Sequence, residues 1–460
     1  MKQQALSNSV AERDIHFHIH SQTNPKLLEE RGPLIVARGE GIRVYDSAGK
    51  AYIDAMAGLW CASLGFANKR LAAAASKQYE ELGFYHTFFH RTTDAVATLA
   101  EKLVELTGMK GGKAYFATSG SEANETMVKL AWVYHAVRGK PTKRKVIARE
   151  RAFHGSTIAA ASMCGLEFMH REFGLPLPGF LHTLAPDSYR GMLAGEDEAA
   201  FVERLALELE RMILHEGPDS IAAFIAEPIN AGGGIIVPPK AYFPRIQATL
   251  RKYDVLCLAD EIVCGFARTG NWFGSETVGM QPQMMALAKG LSSSYFPISA
   301  VVVAPEIYQA LYDFNKQGGA FGHGFTNSGH PVGVAVALEA IRIYEEMDVV
   351  AHVRRMGARL RGHFEAIAER SPIVGEVRGA GLMLGIEIVA DRKTRAPFAP
   401  ETQAGMTFDR FAYENGLVAR CMGDVLGFSP PLIVTESDVD EIAERCGRSL
   451  KQLEAYLLKA

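Results

Sequence analysis

From about residue 70 to 330 the chain alternates two spacings of apolar positions. Stretches such as 71–83 (LAAAASKQYEELG) and 93–108 (TDAVATLAEKLVELTG) repeat apolar residues every three to four positions, which predicts amphipathic helices. Between the helical stretches run KAYFATSG (113–120), KVIARE (145–150), IAAFIAEP (221–228), VLCLADEIV (255–263) and ISAVVVA (298–304). Several are almost continuously apolar, as expected for strands covered on both faces. The alternation predicts an α/β lobe built on a mostly parallel sheet. Beyond it, 334–347 (VAVALEAIRIYEEM) reads as a long helix leading into a second, smaller α+β region. The candidate strands there lie in 374–389 and 416–434. The pattern divides the chain at 1–70 (arm and hairpin), 71–335 (large domain) and 336–460 (small domain). The hairpin, 41–58, turns at Ser47-Ala48-Gly49.

Composition narrows the partners. Apolar residues are 48% and charged residues 22% of 460, ordinary for a globular chain, and the net charge of −3 gives no basic surface for nucleic acid or an anionic membrane. No apolar run approaches the roughly 18 residues that span a bilayer. The six cysteines are scattered without a CxxC, which argues against a disulfide framework or a zinc ribbon. The polar N-terminus (MKQQALSNSVAERD) does not read as a signal peptide, so the expectation is a cytoplasmic protein. The first 30 residues read as an irregular arm. Within it, His16, His18 and His20 alternate as on one strand face, but without a neighbouring carboxylate or cysteine they predict no metal site.

In open α/β sheets ligands gather at the carboxyl ends of strands. At the first such exit, Ser119-Gly120-Ser121 opens a helix, and Ser119 with Glu122 has capping-box spacing. Free N–H groups at that helix start suit a phosphate, although an ordinary capped helix has the same sequence. At the second, Asp260 ends an apolar strand. It either pairs with Arg268 or faces a ligand nitrogen. At the third, Lys289 is the only charge in 283–303 (QMMALAKGLSSSYFPISAVVV). Desolvation lowers a lysine's pKa, and a neutral amine attacks carbonyls. A Schiff-base lysine, an acid for a pyridine nitrogen and a helix start for a phosphate together describe a pyridoxal phosphate site.

Over nearly its whole length the sequence resembles the class III aminotransferases, and among them the amine:pyruvate (ω-) transaminases. The resemblance rests on DAMAGLWC, ATSGSEAN, FHGST, IAAFIAEPINAGGG, LADEIVCGFARTGNWFG, LAKGLSS, HGFTNSGHP and the late ARCMGD with PPL. It implies a fold-type I large domain with a small domain, in a homodimer (or tetramer) with active sites at the interface. It also implies pyridoxal 5'-phosphate as cofactor, no metal, and a small amine donor with a pyruvate-like acceptor. By that resemblance Lys289 is the Schiff-base and proton-shuttling lysine of a ping-pong transfer, and Asp260 pairs with the ring nitrogen. Ser119, Gly120 and Ser121 hold the phosphate. Phe153 stacks on the ring and Val263 packs its other face. His154, Glu227 and Asn230 complete the cofactor shell, and Phe325 and Thr326 reach the phosphate from the neighbouring subunit. The substrate cavity falls to Leu59, Trp60, Phe88, Phe89, Phe168 and Ala231.

Several positions depart from the family pattern. Phe153 stands where tyrosine is usual, Asn230 where glutamine is usual, and Gln22 where an aromatic residue is common. Gly427 replaces an arginine of ornithine- and aminobutyrate-type members. Arg420, three residues before Gly423, stands where amine:pyruvate members carry a mobile arginine. A guanidinium there would clamp an acceptor carboxylate, whereas as plain structure it would pair with Asp424. The same scaffold also serves taurine, β-alanine and polyamine aminotransferases, aminomutases and decarboxylases. A ligand-binding protein without catalysis is the reading of another class.

Overall fold

The computed structural model describes residues 9–315 and 320–457. Three strands come first: β1 (Val36–Glu40), β2 (Arg43–Asp46) and β3 (Ala51–Asp54). Seven follow: β4 (Lys113–Ala117), β5 (Lys145–Arg149), β6 (Phe180–Thr183), β7 (Ile221–Ala226), β8 (Leu256–Asp260), β9 (Met284–Leu287) and β10 (Ser299–Val303). The last five are β11 (Val374–Ala380), β12 (Met383–Ile388), β13 (Leu417–Val418), β14 (Arg420–Met422) and β15 (Val425–Phe428).

The central sheet has the order β4-β10-β9-β8-β7-β5-β6. The pairs from β6 through β9 are parallel, and β10 runs antiparallel to both of its neighbours. The mostly parallel sheet expected from the apolar runs is therefore present. Every residue of β7, β8, β9 and β10 is buried, as strands covered by helices on both faces must be. Each fully buried Leu, Ile or Phe in these strands contributes about 1.5–3 kcal/mol. The sequence reading did not isolate β6 or β9. Each has only four residues, too short for a periodicity of its own, and β9 merges with the apolar segment around Lys289.

Helices form where caps and apolar stripes agree. Asn68 caps Lys69–Leu82 through Arg70 and Leu71 N–H, and Thr93 caps Asp94–Leu106 through Val96 N–H. Both pack against the long helix Pro331–Glu346. The helix Gly120–Val137 lies across β9 and β10, which fixes its N-terminus beside the carboxyl end of the sheet.

A second sheet, β11-β12-β15-β14, is antiparallel and carries the helix Val349–Arg370, against which the helix Glu436–Leu457 packs. The third joins distant parts of the chain. The hairpin β1-β2-β3 turns where expected, and β13 then adds in parallel to β3.

The arm departs from the sequence reading. Val10–Phe17 is a helix capped by Ser9, and Pro25–Arg31 is a second helix capped by Asn24. His16 thus belongs to a helix and not to a strand face shared with His18 and His20. Capping and local side-chain bonds outweighed the two-residue alternation, which spans too few residues to define a strand. Residues 1–8, where the targeting reading began, lie outside the described residues. Among the described helices none is long and apolar enough to cross a membrane.

Candidate active site

The carboxyl ends of the central strands converge on a group of buried polar side chains. Asp260 is the last residue of β8 and is buried. Its Oδ1 accepts from Ile262 N–H at 3.1 Å. Its Oδ2 accepts from the Asn124 amide at 2.7 Å and from His154 Nδ1–H at 2.8 Å. Asn124 also donates to the His154 carbonyl at 2.7 Å. Arg268 turns away from Asp260. Its guanidinium donates to the Leu382 and Pro430 carbonyls, tying the large lobe to the small one. The structural pairing of Asp260 with Arg268 is therefore not made.

Lys289 follows β9 by two residues, at φ +43°, in the left-handed region that a side-chain-bearing residue seldom adopts. Burial pushes its ammonium below the ordinary lysine value. Asp260, Cys61 and Glu227 pull it back up, and Arg420 adds a further push down. No side-chain hydrogen bond or ion pair holds the Lys289 ammonium among the described residues. The isolated charge noticed in the sequence is thus a buried amine whose desolvation Asp260 and Glu227 offset in part.

The helix Gly120–Val137 starts with a complete capping box between Ser119 and Glu122. Glu122 Oε2 also accepts from the N–H and hydroxyl of Thr118 at 2.8 and 2.7 Å. Ala123 N–H returns to the Ser119 carbonyl, which leaves the N–H groups of Gly120 and Ser121 without an internal acceptor among the described residues. Ser121 Oγ accepts from Ser156 N–H at 3.0 Å, so the FHGST turn is fastened to the helix start. Space there is tight: a Cβ on Gly155 would lie 2.2 Å from Ser121 Oγ.

Glu227, just beyond β7, accepts from Phe153 N–H at 3.0 Å and Ala231 N–H at 2.9 Å. Burial raises its pKa. One carboxylate thereby positions both Phe153, half-buried, and the loop of Asn230 and Ala231. Asn230 is fully buried, and neither its amide oxygen nor its amide nitrogen has a partner. His154 Nε2 is likewise buried and unpartnered. Unpaired buried polar atoms are costly, and here they cluster beside open N–H groups, an acid and an amine. A phosphate at the helix start, a ring nitrogen against Asp260 and a carbonyl for Lys289 all find a partner in this set. The residues present fit pyridoxal phosphate.

Around this centre the remaining candidates are spread. Val263 is half-buried three residues beyond Asp260. Trp60 and Ala231 are buried, whereas Leu59, Phe89 and Phe168 are exposed in the single chain. Phe88 is half-buried against Gly324, where a Cβ would lie 2.5 Å from its ring. That contact joins the Phe88 segment to the loop of Phe325 and Thr326. Phe325 packs edge-on to His323 with ring centroids 5.0 Å apart, and His323 Nε2 bonds Thr126 at 2.8 Å on the helix that starts at Gly120. Thr326 is exposed. Gln22 reaches Met169 Sδ at 4.0 Å, beside Phe168.

Arg420 opens β14 and is half-buried. Burial lowers its pKa, and no acid pairs with it among the described residues. Asp424, the partner expected for a purely structural role, is not paired with it; burial raises the Asp424 carboxyl's pKa, and the nearby Phe398 and Gly405 N–H groups draw it back down.

Two residues were missed in the sequence. Asn124 is a buried amide inside a helix, which is itself a signal, since asparagine there normally points to solvent or marks a polar contact. Asp54 ends β3, with Oδ1 accepting from Met56 N–H at 2.8 Å and Oδ2 from Gly58 N–H at 2.9 Å. It fixes a turn in which Ala57, Gly58 and Trp60 all have positive φ.

Comparison with known proteins gives the family. The model of the class III aminotransferase family matches residues 28–450. The chain belongs to the class III aminotransferases. A γ-aminobutyrate transaminase 1, mitochondrial, from Solanum lycopersicum is 47% identical over 423 residues, 92% of this chain and 82% of that protein. The omega transaminase of Pseudomonas jessenii in complex with PMP has a TM-score of 0.96 at 49% identity, covering 97% of this chain and 99% of that one. A transaminase with L-ala has a TM-score of 0.90 at 46% identity over 92% of this chain and all of that one. This class III aminotransferase is a fold-type I enzyme whose cofactor is pyridoxal phosphate, and its substrates are small amines and oxo compounds.

Proposed function

We propose that this aminotransferase moves an amino group from a primary amine or ω-amino compound to pyruvate or a similar 2-oxo or aldehyde acceptor, in two half-reactions at one site. Arg420 carries the proposal. A half-buried guanidinium without an acid, electrostatically coupled to Lys289, is a receptor for one carboxylate. Pyruvate supplies that carboxylate in one half-reaction. A donor amine without one leaves the guanidinium to swing toward solvent.

When bound, pyridoxal phosphate supplies an electron sink to the carbon that exchanges its amino group. Gly120 and Ser121 N–H groups hold the phosphate, with Ser119 setting the helix start. Asp260, oriented by Asn124 and His154, keeps a proton on the ring nitrogen. Asn230 offers its unpaired amide to the ring oxygen. Glu227 sets Phe153 against one ring face, with Val263 on the other. Lys289 Nζ, kept below its ordinary pKa, would serve as the base that takes the proton from the donor's amine-bearing carbon and holds it for return. The reading includes a homodimer in which Phe325 and Thr326 approach the partner's cofactor. The exposed Leu59, Phe89 and Phe168 support it, since large apolar side chains left open to solvent gain from cover.

The names of the relatives bring γ-aminobutyrate into the donor panel, beside taurine, β-alanine, polyamines and arylalkylamines. The test is to add each amine to the cofactor-loaded enzyme without acceptor and follow the visible band of the lysine-bound cofactor. Loss of the band with a productive donor, its return on adding pyruvate, and one alanine formed per donor consumed are expected. A mutase or decarboxylase would form no stoichiometric alanine, and that result would overturn the proposal.

A further inference from the structure

The histidines of the arm are not used by the transamination site. Sequence spacing paired no carboxylate with them, although Asp14 stands four residues before His18. The fold makes the pairing. Asp14 lies in the helix Val10–Phe17, one turn before His18. Its Oδ1 stands 2.9 Å from His18 Nδ1 and its Oδ2 2.5 Å from His20 Nε2. The ligand atoms of the three residues all lie within 4.8 Å of one another. We propose that Asp14, His18 and His20 form a binding site for a divalent transition-metal ion of the zinc, nickel and copper class.

The chemistry of the donors sets that class. Two imidazole nitrogens with one carboxylate suit borderline ions, whereas magnesium and calcium require mainly oxygen. Three donors at 2.0–2.1 Å from a common ion stand about 3.3 Å apart. The Asp14 oxygens therefore need to part from the imidazoles by less than about 1 Å to admit the ion. The approach is built locally, over seven residues. The helical spacing of Asp14 and His18 puts them on one face. The extended backbone after the helix then turns His20 the same way, while Phe17 and Ile19 project outward at 75% and 94% exposure. The His18 and His20 rings lie 4.5 Å apart, near enough to share an ion. His18 is exposed, and Asp14 and His20 are half-buried, so solvent completes the coordination and the ion has an entry path. On binding, each neutral imidazole shifts its single proton through solvent to the outward nitrogen, which frees the nitrogen facing Asp14 for the ion; no proton is lost from either ring, so charge and atoms balance.

The probe is cobalt(II) alone, added to the untagged full chain after removal of metal by a chelator, with and without bound cofactor. Calorimetry and the visible ligand-field bands are expected to show one ion per chain with nitrogen and oxygen ligands, regardless of cofactor. His18→Ala with His20→Ala should abolish that binding, and Asp14→Asn should weaken it by at least about tenfold. Both variants should keep transaminase activity, since the arm site lies outside the catalytic centre. No stoichiometric ion, a sulfur-to-cobalt band from Cys61 or Cys421, or binding unchanged in the double variant would each overturn the proposal. Loss of activity in an enzyme that still binds cobalt would bear on the catalytic reading and not on this site.

Discussion

Arg420→Ala separates the role of a carboxylate receptor from that of a structural cation. The wild-type guanidinium has no acid partner among the described residues, and burial disfavours its charge. Removing it leaves no orphaned carboxylate, so the melting temperature should not fall. A structural ion pair behaves differently, because breaking one buries an unpaired charge. The functional loss is expected only where the substrate brings a carboxylate. Hydrogen bonds to a charged group contribute about 1.5–3 kcal/mol. At 1.4 kcal/mol per factor of ten, kcat/KM for pyruvate should drop between about tenfold and about 150-fold. An aldehyde acceptor without a carboxylate should lose less than about threefold, since it forgoes only surface contact. Arg420→Lys keeps the charge but not the planar fork, and should fall between the two. The assay pairs one amine donor with pyruvate and with a simple aldehyde, and follows both to steady state. Equal losses with the two acceptors would refute the reasoning, as would a marked loss of stability.

Asp54→Asn removes one of two acceptors that fix the turn of Leu59 and Trp60, a loss of about 1 kcal/mol. KM for bulky amines should rise several-fold with kcat nearly unchanged, and equal effects on small and bulky amines would sink this. Gly120→Ala places a Cβ 2.6 Å from Ile262 Cδ1, beside the Ile262 N–H that Asp260 uses. Weaker cofactor retention on dialysis should follow, and unchanged retention would show that the helix start tolerates the methyl group. Burial lowers His135 from 6.5 to about 4, with Nε2 donating to the Ala222 carbonyl and Nδ1 unpartnered. Between those values the unfolded chain binds a proton that the folded chain refuses. Its contribution to stability is therefore complete above about pH 6.5 and lost as the pH falls toward about 4. His182 and His323 are lowered to about 4 as well, so His135→Gln should flatten the fall in melting temperature over this window without abolishing it.

The sequence alone determined the large lobe. Continuous apolar runs on β7, β8 and β10 can only be strands buried on both faces, and the caps at Asn68, Thr93 and Ser119 start helices because local chemistry suffices there. The capping box, the strand-end acid and the lone lysine were legible for the same reason: each is set by residues adjacent in the chain. What lies between chain-distant groups was not. Whether Asp260 faces Arg268 or a ligand depended on where the small lobe's carbonyls drew the guanidinium. Whether Arg420 meets Asp424 depended on how β14 and the loop before β15 are packed, and among the described residues the two are not paired. Asn124 and Glu227 act by bonding elements far apart in sequence, and no spacing rule encodes that. The arm went the other way: a five-residue alternation of histidines suggested a strand, and a serine cap with a carboxylate one turn away placed His16 in a helix instead. Local patterns fix elements because hydrogen bonding and burial along a helix or strand are periodic. The site is decided by tertiary packing, which alone settles which buried polar group is left without a partner.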